Sequence, residues 1–251
     1  MRPLFADEGL RVLRAFAARS PLCLFDFDGT LAPLEPDPAR VMLPQAVQSR
    51  LQALQRLAVV GIVTGRSLQD MQSRLAFRPD YLIGNHGLEG VPGSSERFIA
   101  LADTCRLWKQ ALQHRVSAID PEIWIEDKQY SLSLHYLHAR DPAQAAPALT
   151  QLFAQLDPAP RVISGKYIFN LLPGDSGDKG LAVLHLMRHT NNDAALYVGD
   201  DATDEDVFRL HAPGILSVRV GCAPPSEAEW CIDDHPAIEP LLDRLLEWLP
   251  A

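Results

Sequence analysis

The sequence predicts an α/β fold in which a parallel sheet carries an inserted α+β domain. Apolar runs at residues 22–25, 58–64 and 195–198 are continuous rather than alternating, which is typical of strands buried on both faces of a parallel sheet. Residues 123–128 and 131–136 alternate instead, on either side of a short turn, and this predicts an antiparallel hairpin. We therefore expect two sheets of different kinds.

Helices and strands alternate along the first part of the chain. Apolar side chains at helical spacing predict a helix over residues 10–18, and a stiff, proline-rich loop at 32–44 leads into a helix at 45–57. Ser67 can cap the next helix, because its hydroxyl can accept from a free N–H group of the first turn. A short strand is expected at 81–84. This order is that of repeated βα units.

The middle of the chain breaks this rhythm. Helical patterns at 101–116 and 141–156 flank the hairpin, with a further strand at 167–171. Helices and an antiparallel sheet between parallel units predict a second domain, and a crevice between two domains is a natural substrate site. The expected division is a core of residues 1–96 and 167–251, and an α+β domain of residues 97–166.

Composition and charge exclude several classes of partner. The 251 residues are 47% hydrophobic with a formal net charge of -9, whereas nucleic acids and anionic membranes demand a basic face. Four cysteines without a Cys-x-x-Cys pair indicate neither a zinc site nor a disulfide framework, which favours a reducing cytoplasm. Charged residues interrupt any signal-peptide core, and no apolar run is of membrane-spanning length. We expect a cytoplasmic monomer that acts on a small molecule.

Two carboxylates follow the first buried strand directly, at Asp26 and Asp28, before the turn at Gly29. Ligands of open α/β sheets bind beyond the carboxyl ends of strands, and side chains two residues apart on an extended segment point the same way. A hard cation such as Mg²⁺ would relieve the repulsion between the two acids and could bridge a carboxylate and a phosphate. The alternative is a surface turn that only closes the strand.

The second buried strand ends in Thr64-Gly65-Arg66-Ser67. A hydroxyl beside a helix N-terminus is suited to holding a phosphate oxygen, although Thr64 could equally be an ordinary β-branched strand residue. His86, in the glycine-rich loop after the third strand, could contact substrate or transfer a proton. A single loop histidine more often makes a structural hydrogen bond.

Polar groups also mark the last third of the chain, after a flexible linker at 173–177. Lys179 lies in the first turn of a predicted helix, where its charge opposes the helix dipole unless an anion lies in front of it. Asp200 and Asp201 follow the strand at 195–198 and could complete a metal site. The acids of residues 203–206 fit a helix cap. A strand at 215–220 and a helix at 239–249 are expected to close the chain.

These four strand-end features together resemble the haloacid dehalogenase superfamily, whose motifs are Asp-x-Asp-Gly-Thr, a strand-terminal Ser or Thr, a Lys and an acidic pair. Within that superfamily, most of the chain looks like the trehalose-6-phosphate phosphatases. The segments that carry this resemblance are LFDFDGTLAP at 24–33, TGRS at 64–67, GNHGLE at 84–89, EDK at 126–128, LHY at 134–136 and GDDATDE at 199–205.

The resemblance implies a mechanism for the core residues. Asp26 would attack phosphorus to form an aspartyl-phosphate, and Asp28 would protonate the leaving oxygen and later activate water. Mg²⁺ would be held by Asp26, the Asp28 backbone carbonyl and Asp200. The remaining assignments are Thr64 and Lys179 as phosphoryl ligands, Gly65, Arg66 and His86 as substrate-binding residues, and Asp201 and Asp204 as supports of the metal site.

For the inserted domain, the resemblance implies a cap in which Glu126, Lys128 and Asn170 contact the sugar. Here the chain departs from the family pattern, which reads Glu-Ile-Arg-Pro or Glu-Val-Lys-Pro where this chain has Asn170-Leu171-Leu172-Pro173. Phosphatase chemistry is untouched by this departure, but the identity of the sugar is less firmly indicated. The alternatives are a phosphatase of a sucrose or glucosylglycerol type of phosphate, a phosphomutase, and a regulatory module that binds phosphate without turnover.

Overall fold

A computed structural model describes residues 1–93, 95–174 and 177–250 of the chain. The chain forms two compact units, one of Met1–Pro92 with Asp178–Ala251 and one of Gly93–Gly177. These limits differ from the expected 97 and 166. The later limit differs because the strand Ile168–Pro173, expected within the core, pairs with strands of the second unit.

In chain order the strands are β1 (Arg2–Pro3), β2 (Leu22–Phe25), β3 (Val60–Val63), β4 (Tyr81–Ile83), β5 (Trp124–Asp127), β6 (Leu132–His135), β7 (Pro160–Gly165), β8 (Ile168–Pro173), β9 (Ala195–Gly199), β10 (Ile215–Val220) and β11 (Trp230–Ile232). The helices are α1 (Asp7–Ala17), α2 (Gln45–Leu54), α3 (Leu68–Gln72), α4 (Ser95–Ile119), α5 (Pro142–Phe153), α6 (Lys179–His189), α7 (Glu205–Phe208) and α8 (Ile238–Trp248).

The first unit is built on a seven-stranded sheet of order β1-β11-β10-β9-β2-β3-β4, and all its pairings are parallel. Every residue of β2, β3 and β9 is buried, as their continuous apolar sequences predict. One large apolar cluster packs β2, β3, β9, β10 and β11 against α1, α2 and α8. Because β9, β2 and β3 are neighbours, the residues after their carboxyl ends come together at one edge of the sheet.

The second unit is a four-stranded antiparallel sheet of order β5-β6-β8-β7, with α4 and α5. The predicted hairpin is confirmed, with Trp124 opposite His135 and Asp127 opposite Leu132. Leu132, Leu134 and Leu171 alternate onto the face that forms a separate apolar core with both helices. Ser133, His135 and Asn170 at the intervening positions bring polar side chains to the other face, which also carries Ile168 and Leu172; we call this the polar face.

Several features differ from what the sequence predicted. Strands β1, β7 and β11 were not predicted, because each is short or lacks a clear alternation. Cys222 and Cys231 form a disulfide, so the expectation of no disulfide was wrong; β10 and β11 bring the two thiols together as parallel neighbours. Among the described residues, no helix combines the length and the apolar character needed to cross a bilayer.

Candidate active site

A buried lysine lies between two aspartates at the carboxyl edge of the parallel sheet. Lys179 Nζ donates to Asp26 Oδ1 at 2.6 Å and to Asp204 Oδ1 at 2.8 Å, and all three residues are nearly inaccessible to solvent. Asp26 directly follows β2, where its N–H group donates to the Val198 carbonyl of β9. Lys179 is the first residue of α6, whose cap is Asp178. Carboxylates of the chain itself therefore lie in front of Lys179 and offset the unfavourable position of its charge at the helix N-terminus.

Asp204 has both of its carboxylate oxygens fully engaged. Oδ1 accepts from Lys179 and from the Tyr197 hydroxyl at 2.6 Å, and Oδ2 accepts from the backbone N–H groups of Asp200 and Asp201 at 2.9 Å each. Helix α7 begins only at Glu205, and its first turn has no side-chain cap, so the expected cap at 203–206 was wrong. The Asp204 side chain supports the site instead of capping the helix.

The electrostatics of this cluster follow from its burial. Burial raises the pKa of Asp26 well above its usual value; Lys179 opposes this rise, whereas Asp204 and Asp200 add to it. Burial likewise raises the pKa of Asp200 to about 7, and the negative charges of Asp204 and Asp201 contribute. Burial lowers the pKa of Lys179, but Asp204 and Asp26 outweigh this and raise it above its ordinary value. One lysine therefore does not neutralise the acids around it.

The glycine of the first motif allows Asp200 to approach the β2 turn. Gly29 has a φ of +80°, and a β-carbon at this position would overlap the Asp200 carboxylate. Thr30 then donates its hydroxyl to Asp200 Oδ1 at 3.2 Å. Both the left-handed backbone and the close approach require glycine here. Asp201, in contrast, has an exposed side chain and contributes its backbone N–H to Asp204.

The turn after β3 lies at the same edge. Thr64 is fully buried, and its hydroxyl accepts from the Arg66 N–H group at 3.2 Å, while Ser67 caps α3 as predicted. The ring of His86 packs so close to Gly65 that a β-carbon on Gly65 would overlap it. The His86 backbone N–H donates to the Thr64 carbonyl at 2.9 Å, with His86 itself at a φ of 58°. His86 therefore shapes the turn that presents Thr64.

Asp28 has a different partner from Asp26, although only two residues separate them. The Arg66 guanidinium donates from Nε to Asp28 Oδ2 at 2.7 Å and from Nη2 to Asp28 Oδ1 at 2.6 Å. This paired, bidentate geometry fixes the plane of the carboxylate. Burial lowers the pKa of Arg66, but the hydrogen bonds and charge of Asp28, together with Asp70, raise it overall.

The predicted sugar-contacting residues lie on the polar face of the second unit's sheet. Glu126 Oε2 contacts His135 Nε2 at 2.9 Å and lies 3.8 Å from Lys128 Nζ. His135 also stacks on Trp124 with ring centroids 4.0 Å apart. One strand further, the Ser133 hydroxyl donates to Asn170 Oδ1 at 2.6 Å. The residues are brought together by register, since Glu126 is opposite Ser133 and Ser133 is opposite Asn170.

The structure brings together several of the residues that the sequence singled out, and it adds neighbours that the sequence missed. The structure brings Asp26, Lys179, Asp200 and Asp204 into one cluster, and pairs Asp28 with Arg66. Tyr197 and Asp70 were missed. Tyr197 lies on β9 two residues before the strand ends, and the sequence signal that could have found it is a hydroxyl within a run of otherwise apolar residues.

Comparison with known proteins identifies the family. The trehalose-phosphatase family profile matches residues 24–230. The chain belongs to this family. The matched range includes every site residue described above.

Individual relatives agree with this assignment. Trehalose-phosphate phosphatase of Mycobacterium marinum is 30% identical over 231 residues, which cover 88% of this chain and 57% of the relative. The enzyme of the same name from Mycobacterium tuberculosis is 29% identical over 217 residues, covering 83% of this chain and 56% of the relative. The chain thus spans little more than half the length of these curated relatives.

Solved structures of family members share the fold. The C-terminal domain of Candida albicans trehalose-6-phosphate phosphatase has a TM-score of 0.73 at 20% identity, covering 98% of each chain. Aspergillus fumigatus trehalose-6-phosphate phosphatase has a TM-score of 0.66 at 24% identity, covering 98% of this chain and 99% of that one. This similarity confirms the predicted α/β fold of the haloacid dehalogenase type.

The acidic cluster fits a hard divalent cation. Ligand atoms of Asp26, Asp200 and Asp204 lie within 4.8 Å of one another. Since the oxygens of Asp204 are taken by Lys179, Tyr197 and two backbone groups, Asp26 and Asp200 are the carboxylates best placed to receive the cation. Mg²⁺ is commonly held by one or two carboxylates, and its charge would offset the excess of acids over lysine.

We expect the Lys179→Met variant to lose about 3–5 kcal/mol in free energy of unfolding, because it leaves Asp26 and Asp204 buried without their cation. Denaturant titration in a chelating buffer measures this loss without a metal ion substituting for the lysine. The matched control is Lys109→Met. Lys109 forms an exposed ion pair with Asp127 at 3.0 Å, and its loss should cost about 0–1 kcal/mol. Equal losses in both variants would contradict the structural role of Lys179.

Proposed function

We propose that this chain is a Mg²⁺-dependent phosphatase that hydrolyses trehalose 6-phosphate to trehalose and phosphate, as a step of trehalose biosynthesis. The observation that carries this proposal is the pairing of Asp26 with Lys179 at the carboxyl end of β2, beside Asp200. In a chain whose residues 24–230 match the trehalose-phosphatase family, this cluster is chemically equipped for phosphoryl transfer.

In the first half-reaction, Asp26 is the nucleophile. Its Oδ1 accepts the hydrogen bond from Lys179, and among the described contacts its Oδ2 carries none, so Oδ2 is the oxygen that attacks phosphorus. The bond from phosphorus to the sugar oxygen breaks as the aspartyl-phosphate forms, and Asp28 supplies the proton to the departing oxygen. Lys179 and the Thr64 hydroxyl hold the phosphoryl oxygens. Gly65, in the turn that follows Thr64, is a further substrate-binding residue, and its missing side chain admits the His86 ring.

In the second half-reaction, the Asp28 carboxylate accepts a proton from water as that water attacks phosphorus. Phosphate leaves, and the Asp26 carboxylate is regenerated. Mg²⁺, when held by Asp26, Asp200 and the backbone carbonyl of Asp28, supplies positive charge that offsets the charge of the phosphoryl oxygens. Asp204 keeps Lys179 and the loop of Asp200 and Asp201 in place through its four hydrogen bonds.

Sugar selection is assigned to Glu126, Lys128 and Asn170, with His86 and Arg66 as further substrate-binding residues. The support is chemical, since carboxylate, ammonium and amide groups on one sheet face can bond several hydroxyls. The amide of Asn170, where the family pattern has an acid, indicates the sugar less firmly and leaves a second candidate: a phosphatase of a sucrose or glucosylglycerol type of phosphate.

The same proposal includes a monomer that acts on a small molecule, without nucleic-acid or membrane partners. The net charge of -9 supports the absence of those two partners. The Cys222–Cys231 disulfide removes the argument for a reducing cytoplasm that the cysteine pattern gave, because such bonds are rare in that compartment.

The first prediction of this mechanism concerns the two motif aspartates. Asp26→Asn should abolish turnover while thermal unfolding stays cooperative, because the amide is nearly isosteric but a poor nucleophile. Asp28→Asn should retain a residual rate, since general acid-base assistance typically contributes about 10²- to 10⁴-fold. Phosphate release by the purified variants measures both effects. Near-normal turnover of Asp26→Asn would remove the covalent mechanism.

Activity should be lost on metal removal and restored by Mg²⁺, because the acidic cluster otherwise repels a phosphate dianion. Phosphate release with EDTA and then with excess Mg²⁺ measures this. Mg²⁺ should also raise the unfolding temperature of the wild-type protein more than that of Asp200→Asn, since a ligand stabilises the state that binds it. Full activity in excess EDTA would be incompatible with this metal site.

The substrate is tested by a panel of phosphorylated mono- and disaccharides with Mg²⁺. We expect kcat/KM to be highest for trehalose 6-phosphate, since polar groups built for particular hydroxyls can discriminate by up to about 10⁴- to 10⁵-fold. If sucrose 6-phosphate or a monosaccharide phosphate gave the highest value, the second candidate would replace the first. Return of labelled phosphate to sugar would indicate a phosphomutase, and absence of turnover on the whole panel a regulatory module.

A further inference from the structure

A chain of alternating charges runs from Asp28 into the first unit. Arg66 contacts Asp28 on one side and donates from Nη1 to Asp70 Oδ2 at 2.7 Å on the other. Asp70 in turn accepts from Arg74 at both oxygens, with distances of 2.9 and 2.7 Å. The carboxylate of Asp70, within α3, is thus bound by two guanidinium groups. Arg66 lies before this helix and Arg74 lies after it.

The far end of this chain is anchored on backbone. Arg74 is buried, and its Nη1 donates to the Val41 carbonyl at 2.6 Å and the Ala39 carbonyl at 3.2 Å. Arg66 also donates to the Pro38 carbonyl at 3.0 Å. Both arginines therefore attach to the proline-rich loop that follows the first motif. An arginine side chain anchored in this way loses little further conformational entropy when it binds a carboxylate.

The hydrogen bonds from Arg66 fix the orientation of the Asp28 carboxylate. Nε and Nη2 of Arg66 take one lone-pair direction on each oxygen of Asp28, which leaves the other directions available for a proton donor or acceptor. A general acid or base must lie within hydrogen-bond reach of the reacting oxygen, so a fixed carboxylate plane determines whether it can act. The Asp28 side chain is 30% exposed, whereas the Arg66 side chain is 12% exposed.

We propose that Arg66, held by Asp70 and Arg74, is a positioning residue that fixes the Asp28 carboxylate for proton transfer, and this rests on the proposed phosphatase function. Arg66 thereby acts on the reaction through Asp28. Asp70 and Arg74 lie outside the reacting groups, and in the described contacts Asp70 reaches Asp28 only through Arg66.

The test compares two leaving groups in the Asp70→Asn variant. A sugar alkoxide needs a proton to leave, whereas nitrophenolate does not, and kcat/KM reports steps only up to departure of the leaving group. We expect kcat/KM for the best sugar phosphate of the panel to fall about 10- to 100-fold, part of the usual acid-base contribution. For p-nitrophenyl phosphate the fall should be roughly threefold or less.

The matched control is Asp243→Asn. Asp243 binds Arg50 through both oxygens at 2.7 and 3.2 Å, in a similar paired geometry between α2 and α8, and its loss should leave the ratio of the two kcat/KM values unchanged. Arg66→Lys gives a second variant if Asp70→Asn does not fold. It keeps the charge but lacks the planar fork, so it should reproduce the selective loss.

The outcomes separate this inference from the function on which it rests. If folded Asp70→Asn or Arg66→Lys protein lost the same factor on both substrates, or nothing on either, the positioning role would be overturned while the phosphatase stood. If the wild-type protein hydrolysed neither substrate, the proposed function would fall and the inference with it. A loss confined to the sugar phosphate, absent from Asp243→Asn, supports the inference.

Discussion

The pairing of buried Lys179 with Asp26 and Asp204 is the constraint on which the site depends. It joins three separate pieces of chain, the end of β2, the start of α6 and the segment before α7, through contacts of 2.6 and 2.8 Å. A buried charge is tolerable only when it is paired and hydrogen-bonded. Removal of any one of the three side chains therefore leaves a buried charge without its partner and lowers the free energy of unfolding. The tyrosine hydroxyl and two backbone N–H groups on Asp204 complete that requirement.

The same constraint explains why the site could hold a cation. Lys179 satisfies Asp204 and one oxygen of Asp26, but Asp200 lies beside them with a raised pKa, and Thr30 is its described side-chain partner. Gly29 allows this crowding because it has no side chain to exclude Asp200. The fold therefore brings together more negative charge than its lysine offsets, which agrees with the proposed Mg²⁺ site.

Asp26 and Asp28, two residues apart, have different surroundings, which supports the different roles proposed for them. Asp26 is buried against a lysine, whereas Asp28 is partly exposed and held in the plane of an arginine fork. Divergent environments for two nearby carboxylates are how one site assigns a nucleophile and an acid-base group. Among the described contacts, no hydrogen bond joins the network from Asp28 to Arg74 with the one around Lys179, so the proposed nucleophile and the proposed proton carrier are supported by different parts of the unit.

The sequence by itself determined the types of the core strands, the antiparallel hairpin, the Ser67 cap and the polar residues after each core strand, because these depend on local periodicity and spacing. Only the tertiary structure decided which partners those polar residues have. Lys179 and Asp26 are 153 residues apart, Asp28 and Arg66 are 38 apart, and the Cys222–Cys231 bridge depends on strands β10 and β11 being neighbours. Asp204 shows the difference most clearly, since its place before α7 predicts a cap and its four partners make it a support of the site. Local spacing cannot encode such a choice, because the competing hydrogen-bond partners become available only after distant segments have packed together.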